Sequence, residues 1–308
     1  MIDFVTFAVD QPPPTLMMND KICLVTGANA GIGFETAKAL AARGAHVRML
    51  CRNEQKGTAA VARILAETDA TPDHLKVVVC DLASQADIRR VGAELRAHLP
   101  RLDVLVNNAG VWFSKWELTA DGSERQFAVN HLAYFLLTHE LLPSLRAAPE
   151  ARIVCVSSDS HFKGKMHFDD IDLTHRYHGL RAYAQSKLAN VLFVRELDRR
   201  LGQHGWNNIA VNAVQPGLVK TDIGLKHTIS LHGIAWRLRR LGGVTPAEGA
   251  QTNVFLATSP LVRGVSGQYW DRCRPKRSSV RSYDPGDARR LWALSLKRTG
   301  LEGYFPEE

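Results

Sequence analysis

The distribution of apolar residues predicts buried strands that alternate with helices along most of the chain. Continuous apolar runs, bounded by turn residues, occur at Ile22–Thr26, Val47–Cys51, Val77–Cys80, Val104–Val106, Ile153–Val156 and Ile209–Val214. Runs of Val, Ile, Leu and Cys without alternation are typical of a parallel sheet covered on both faces. Segments with helical periodicity lie between these runs, at Ile32–Arg43, Glu54–Glu67, Gln85–His98, Arg125–Leu145 and Tyr183–Leu201. The alternation predicts an α/β fold with a doubly wound parallel sheet.

The organisation of the chain favours one domain. Its 308 residues fit a single open α/β sheet, and no Pro/Gly-rich linker or internal repeat divides them. We expect a flexible tail at 1–20, one domain at 21–300 and a second tail at 301–308. Apolar residues and arginines interrupt the alternation at 221–243. An amphipathic lid over a substrate cleft, a surface helix that touches anionic lipid and ordinary packing all fit that segment.

Composition and charge narrow the partner classes. An apolar content of 45% supports a sizeable core. Much of the net charge of +8 lies late in the chain, without a stacking aromatic platform, so we expect a solvated basic face and no nucleic-acid partner. The five cysteines contain no CxxC pair, which indicates small core residues in a reducing compartment. We therefore expect a cytoplasmic protein, with weak contact of 221–243 to an anionic membrane surface left open.

A glycine-rich loop marks a candidate phosphate site. The segment LVTGANAGIG, with Gly27, Gly31 and Gly33, leaves an apolar strand and enters a helix. Glycines permit a tight turn there, let backbone N–H groups approach a pyrophosphate and aim the positive end of the helix at it. An ordinary structural turn is the alternative for such a loop alone. Its spacing, Gly-x-x-x-Gly-x-Gly, departs from the dinucleotide pattern GxGxxG.

Four motifs together resemble those of the short-chain dehydrogenase/reductase family. They are TGANAGIG, NNAG at Asn107–Gly110, the pair Ser157 and Ser158, and YAQSK at Tyr183–Lys187, and they occur in the family's order. The resemblance covers Lys21–Gln268. It implies a Rossmann-type fold and an oxidoreductase that transfers a hydride between a nicotinamide cofactor and an alcohol or carbonyl carbon.

Further segments resemble the retinol dehydrogenase-like branch of that family. They are CRNEQKG, FAVNHLAYFLLTHELLP, SKLANVLFVREL, VQPGLVKTDI, AEGAQTNVFLA and the long insert between Ser158 and Tyr183. The branch implies an apolar substrate of the retinoid, steroid or xenobiotic carbonyl class. Membrane-bound members often begin with a hydrophobic anchor, and we expect none here, which weakens the expectation of a retinoid.

The resemblance assigns a set of cofactor contacts. They are Gly27, Asn29, Gly31, Ile32, Gly33, Arg52, Asp81, Leu82, Asn108, Ala109, Gly110, Tyr183, Lys187, Pro216, Gly217 and Thr221. NAD-preferring members carry an acid at the end of the second strand, where this chain has Cys51 and Arg52. A guanidinium pairs with a 2′-phosphate, so NADP(H) is the expected cofactor. A plain surface position is the alternative for Arg52.

Four residues are expected to perform the proton chemistry. Tyr183 and Lys187 are four residues apart and so share one helix face. A neighbouring ammonium favours the phenolate and lowers the pKa of a tyrosine from about 10. The resemblance implies that Lys187 also binds the nicotinamide ribose, that Ser158 binds the substrate oxygen and that Asn130 anchors a relay water. Ser157 is an alternative to Ser158.

The remaining candidates concern the substrate cleft and metals. Apolar residues that would line the cleft are Trp112, Phe113, Ile223, Leu225 and Trp236, with core packing as the alternative for each. The insert carries histidines and aspartates, but their spacing matches no zinc or calcium pattern, so no metal is expected.

Two other functions compete with the oxidoreductase. A non-catalytic NADP(H)-sensing protein would need no chemistry, but the chain retains the Tyr-x-x-x-Lys pair. A hydrolase would use a serine after a strand, but the chain has no GxSxG elbow. The oligomeric state is open: a homodimer fits the family, whereas 221–243 and the basic C-terminal part would obstruct a helix-to-helix interface.

Overall fold

The computed structural model describes residues 16–217 and 243–305. The strands in those ranges are β1 Ile22–Thr26, β2 His46–Cys51, β3 Leu75–Val79, β4 Val104–Asn107, β5 Ala151–Val156, β6 Ile209–Gln215, β7 Tyr269–Asp271 and β8 Arg274–Pro275. The helices are α1 Gly31–Ala41, α2 Glu54–Glu67, α3 Gln85–His98, α4 Arg125–Phe127, α5 Ala133–Arg146, α6 Gly179–Gln203, α7 Pro246–Thr258 and α8 Pro285–Thr299. A π-helical turn, Ala128–Leu132, joins α4 to α5.

The strands form one sheet whose order creates a crevice for a ligand. The order is β3-β2-β1-β4-β5-β6-β7-β8, parallel except for β8, so the predicted doubly wound sheet is confirmed. The strand sequence reverses beside β1, since β2 pairs with one edge of β1 and β4 with the other. Loops that leave β1 and β4 therefore diverge, and ligands of open α/β sheets bind in such a crevice at the carboxyl ends.

Apolar layers cover both faces of the sheet. On one face, Leu24, Leu50 and Leu105 pack in a cluster that includes residues of α3, α5 and α6. On the other face, alternate strand residues such as Val25 and Met49 pack with α1 and α7. The strands consequently lack polar alternation, which is why continuous apolar runs could reveal them. All five cysteines are free thiols, and Cys23, Cys51, Cys80 and Cys155 are buried.

The elements that follow residue 242 were not predicted from the sequence. Strands β7 and β8 contain three and two residues, too few to stand out as apolar runs. Helix α7 begins with a capping box of Thr245 and Glu248, and α8 begins after an Asp284 cap and ends at left-handed Gly300. None of the helices in 16–217 and 243–305 is long and apolar enough to cross a bilayer.

Residues at both ends of the described chain pack against the domain. Met18 is buried and donates its main-chain N–H to the Arg43 carbonyl at 2.7 Å. Tyr304, within the expected C-terminal tail, is 3% exposed and donates its hydroxyl to the Phe135 carbonyl at 2.8 Å. Its ring centroid lies 4.5 Å from those of Phe135 and Trp292. The stretch 301–305 therefore fastens α8 to α5.

We expect Tyr304→Ala to lower the free energy of unfolding by about 3–5 kcal/mol, because it leaves a cavity among buried aromatic rings. Tyr304→Phe removes only the hydroxyl and should cost about 1 kcal/mol. Glu302→Ala, at an exposed position, is the control and should change little. Urea denaturation measures all three. Equal midpoints for wild type and Tyr304→Ala would contradict the packing of this segment.

Candidate active site

The glycine loop forms an anion-compatible crevice at the end of β1. Gly27 and Gly31 have φ values of 66° and 57°, the left-handed region that favours glycine. A Cβ on Gly33 would lie 2.3 Å from the Gly27 carbonyl oxygen and 2.5 Å from Asn108 Nδ2, so only glycine lets α1 start this close to the loop. The helix begins at Gly31, and its N-cap residue, Ala30, offers no side-chain hydrogen bond. Its first N–H groups and positive dipole end suit a pyrophosphate.

Thr26 joins this loop to the one after β4. Its buried hydroxyl accepts the main-chain N–H groups of Asn108 at 2.8 Å and Ala109 at 2.9 Å. Its carbonyl accepts the Asn108 side-chain amide at 2.8 Å. Sequence reasoning missed Thr26 because it counted as the last residue of an apolar strand. Its hydroxyl directly before Gly27 was the available signal.

Three of the expected cofactor contacts, Arg52, Asp81 and Leu82, follow the carboxyl ends of β2 and β3. Arg52 is exposed directly after β2, and within the described ranges it forms no hydrogen bond or ion pair. Asp81, two residues beyond the end of β3, accepts the Ala83 N–H through Oδ1 at 3.0 Å. Leu82 is 8% exposed. Because β3, β2 and β1 are adjacent and parallel, these residues and the glycine loop lie at neighbouring strand ends.

Asn130 lies in the π-helical turn and fixes two elements of the site. Its Oδ1 accepts the Val111 N–H at 2.7 Å, and its Nδ2 donates to the Val111 carbonyl and to Ser186 Oγ, both at 3.0 Å. Ser186 Oγ in turn donates to the Tyr183 carbonyl at 2.8 Å. Asn130 thus connects the loop after β4 to the helix that carries Tyr183. π-Helical turns are frequent at functional sites.

Tyr183, Lys187 and Ser158 come together at the end of β5. Lys187 is 2% exposed, and its Nζ donates to the Val156 carbonyl at 3.0 Å. The same Nζ lies 5.5 Å from the centroid of the Tyr183 ring. The Ser158 side chain lies close enough to the Tyr183 hydroxyl to lower the pKa of that phenol. Three of the four residues expected to perform the chemistry therefore meet directly, and Asn130 reaches them through Ser186.

Burial shifts both titratable groups towards their neutral forms. It raises the pKa of Tyr183 to about 12, partly offset by Ser158, and it lowers the pKa of Lys187 to about 7. These directions oppose the expectation that an ammonium lowers the phenol pKa. The reason is desolvation, because the hydrogen-bond partner of the Lys187 ammonium is a neutral carbonyl rather than a carboxylate.

The two neighbouring serines have different surroundings. Ser157 is buried, and its hydroxyl donates to the Lys187 carbonyl at 2.7 Å. It therefore connects the end of β5 to α6. Ser158 is half-buried and reaches Tyr183. This geometry favours Ser158 over the alternative Ser157.

Two further residues of the site were missed by sequence reasoning. Tyr134 is buried, donates its hydroxyl to the Ala109 carbonyl at 2.7 Å and has its ring centroid 6.0 Å from Lys187 Nζ. Gln185, within YAQSK, accepts the His167 N–H at 2.9 Å and donates to the Ile171 carbonyl at 2.8 Å. Gln185 therefore anchors the long insert to the helix of Tyr183. Its place between the two motif residues was the available signal.

Only some of the remaining expected site residues lie within the described ranges. Gly110 lies beside the chemistry, since a Cβ there would be 3.5 Å from Lys187 Nζ. Asn29 and Ile32 are half-buried at the start of α1, and Pro216 and left-handed Gly217 follow β6. The residues that lie outside the described ranges are Thr221, Ile223, Leu225 and Trp236. Within those ranges, Trp112 and Phe113 are half-buried after β4, and no group of three or more metal-binding side chains is assembled.

Comparisons with known proteins identify the family. The short chain dehydrogenase model matches residues 21–229. The chain belongs to the short-chain dehydrogenase/reductase family. Among its relatives, mouse retinol dehydrogenase 14 is 40% identical, with 92% of this chain and 87% of the relative covered. Human retinol dehydrogenase 13 is also 40% identical, with 94% and 88% covered. The predicted membership of a retinol dehydrogenase-like branch is confirmed.

Solved structures agree with this short-chain dehydrogenase/reductase assignment. An uncharacterized protein from Mycobacterium paratuberculosis is 33% identical with a TM-score of 0.76, covering 95% of this chain and 97% of that one. A short chain dehydrogenase from Escherichia coli, complexed with NADPH, is 26% identical with a TM-score of 0.64, covering 84% and 99%. The chain is therefore an oxidoreductase of a family that binds nicotinamide cofactors.

The buried lysine gives a pH dependence of stability. Between pH 7 and 10.5, the unfolded chain keeps a lysine proton that folded Lys187 has released, so stability should rise with pH across that window. We expect the unfolding free energy of wild type, relative to Lys187→Met, to increase over this range in urea titrations without nucleotide. Parallel curves for the two proteins would contradict the burial of an uncompensated ammonium.

Proposed function

We propose that this chain is an NADP(H)-dependent dehydrogenase/reductase that interconverts an apolar alcohol and its aldehyde or ketone. The observation that carries the proposal is the group formed by half-buried Tyr183 and Ser158 with buried Lys187 beside the glycine loop. A hydroxyl donor, a second hydroxyl and an amine at one strand end can bind a carbonyl oxygen and move a proton to it.

The side chains have separate roles in the proposed reaction. When bound, the nicotinamide cofactor supplies or accepts the hydride. Ser158 holds the substrate oxygen, and Tyr183 donates the proton that completes reduction of a carbonyl. A pKa of about 12 keeps the Tyr183 phenol protonated at neutral pH, which suits proton donation. Lys187 holds the ribose hydroxyls and, when charged, favours the phenolate needed for alcohol oxidation.

The preference for NADP(H) rests on Arg52. Its guanidinium lies directly after β2, is exposed and has no hydrogen-bond or ion-pair partner among the described residues. It is therefore available to pair with a 2′-phosphate. The residues directly after β2 are Arg52 and Asn53, and neither is an acid that would bind a free ribose hydroxyl. Structural relatives solved with NADPH and with NADP support the same cofactor.

An apolar substrate is supported by two observations. Half-buried Trp112 and Phe113 follow β4, next to the motif that Thr26 holds against the glycine loop. Several relatives are named retinol dehydrogenases. We propose an aromatic, retinoid-like or steroid-like carbonyl/alcohol pair as the substrate class.

We expect Tyr183→Phe to reduce turnover of carbonyl substrates by about 100- to 10,000-fold, because it removes the proton donor. NADPH affinity, measured by fluorescence titration, should stay within a few-fold of wild type. Tyr304→Phe is the matched control, since it removes a phenol hydroxyl that contacts Phe135 instead of the site, and it should turn over normally. Normal turnover in Tyr183→Phe would remove the role of this residue. Tight NADPH binding by wild type without turnover of any carbonyl would favour the sensing alternative.

We expect Arg52→Ala to weaken NADPH binding by about 10- to 100-fold, the effect of losing a charge-assisted hydrogen bond. NADH binding should change little, because NADH has no 2′-phosphate. Arg289→Ala, at an exposed position of α8, controls for the loss of one positive charge. Equal losses for NADPH and NADH would contradict recognition of the phosphate by Arg52.

A further inference from the structure

We infer that His161 is a positioning residue for Ser158, because its imidazole bridges the Ser158 carbonyl and the main-chain amide of Ser279. This inference rests on the proposed function, since it assigns a support to the serine that binds the substrate oxygen. The bridge connects the site to Ser279, in a part of the chain where the sequence motifs place no functional residue.

The bridge is defined by two hydrogen bonds. His161 Nδ1 lies 2.7 Å from the Ser158 carbonyl oxygen, and the Ser279 N–H donates to His161 Nε2 at 3.0 Å. A main-chain N–H can only donate and a carbonyl can only accept. Nε2 must therefore carry a lone pair and Nδ1 the proton. The contacts fix one neutral tautomer of His161.

The surroundings of His161 favour that neutral form. The side chain is fully buried, between the rings of Phe162 at 4.3 Å and Tyr269 at 4.7 Å. The pKa of His161 is lowered overall, mainly by burial, with further lowering by Lys276 and Arg195. The Ser158 carbonyl and Asp159 act in the opposite direction. A proton on Nε2 would also place two donors against each other at Ser279, so the bridge requires the uncharged ring.

The far end of the bridge is held firmly. Arg195, on α6, donates to Ser278 Oγ at 2.9 Å, and its guanidinium lies 3.8 Å from the centroid of the Tyr283 ring. Arg281 donates to the Gly164 carbonyl at 2.8 Å. The Ser279 N–H is therefore a fixed donor, and His161 transmits its position to Ser158.

A second contact supports the residue beside Ser158. The Asp159 carboxylate accepts the Tyr269 hydroxyl and Lys276 Nζ, each at 3.0 Å, and its N–H donates to Gln215 at 3.1 Å. These contacts hold Asp159 but do not reach the Ser158 carbonyl, which accepts the His161 main-chain N–H at 2.9 Å as well as the imidazole Nδ1–H. Loss of the imidazole should therefore remove the link to Ser279 and loosen the serine main chain without detaching the whole turn.

The test compares His161→Leu with His161→Gln. Leucine fills the space but cannot bridge, whereas the glutamine amide carries a donor and an acceptor on one planar group. We expect His161→Leu to lower kcat for a carbonyl substrate by about 10- to 100-fold, the effect of a misplaced reacting group. NADPH affinity should stay near that of wild type, and His161→Gln should recover most of kcat. A purely structural role would lower kcat and NADPH binding together.

A matched control and a spectroscopic readout complete the design. His139 also donates to a main-chain carbonyl, that of Tyr304 at 2.7 Å, and His139→Leu should leave kcat unchanged. Nitrogen-15 NMR of wild type at pH 6.5 should show a signal from a neutral histidine with a protonated Nδ1 that disappears in His161→Gln and persists in His139→Leu. If His161→Leu does not fold, His161→Asn replaces it, because the shorter amide reaches Ser158 but not Ser279.

The outcomes separate the inference from the proposed function. Wild-type kcat in His161→Leu or His161→Asn, or a protonated Nε2 on His161 in wild type, would overturn the positioning role while the reaction stands. An inactive wild type across carbonyl substrates would overturn the proposed function and this inference with it. Reduced kcat, retained NADPH binding and recovery in His161→Gln would support both.

Discussion

The site depends on one constraint, the covering of a parallel sheet on both faces. Because apolar layers occupy each face, most strand side chains are apolar, and the polar groups of the site lie at the ends of the strands and in the loops that follow. The carboxyl ends of β1, β4 and β5 meet at the point where the strand order reverses. Thr26, Asn130 and Lys187 each bond to a main-chain group at one of those ends or in the loop that follows it. The crevice and its chemistry thus follow from the same packing.

A second consequence of burial is electrostatic. Lys187 is buried and Tyr183 half-buried, and desolvation shifts the pKa of each towards its uncharged form. The ionisation of Lys187 and Tyr183 then depends on charged groups that enter the crevice, because electrostatic interactions are stronger in a site of low dielectric constant. His161 is also held uncharged, because two hydrogen bonds select one neutral tautomer of its ring.

Much of the fold was predictable because the signals are local and repeated. The apolar runs located β1 to β6 and the helical periods located α1 to α3, α5 and α6, with bounds that differ by a few residues. The motifs also predicted that Tyr183, Lys187 and Ser158 act together in one site. Strand β7 escaped because three residues carry no periodicity, and it is held by pairing with β6.

The supporting contacts were not predictable in the same way. Tyr134 meets Ala109, and His161 meets Ser279, through contacts between residues far apart in the chain. The spacing of residues in the sequence does not predict such pairs, because they depend on how the packing of helices and strands brings distant loops together. The burial that shifts the pKa of Tyr183 is likewise a tertiary effect, and a neighbouring-charge argument alone gave the opposite direction.

The most direct test of the central claim follows the hydride itself. Purified protein would be incubated with an aromatic or retinoid aldehyde and NADPH deuterated at the transferable position of the nicotinamide. The account predicts an alcohol that carries one deuterium on its carbinol carbon, as detected by mass spectrometry. Alcohol without deuterium, or bound NADPH that is never oxidised by any carbonyl, would contradict it.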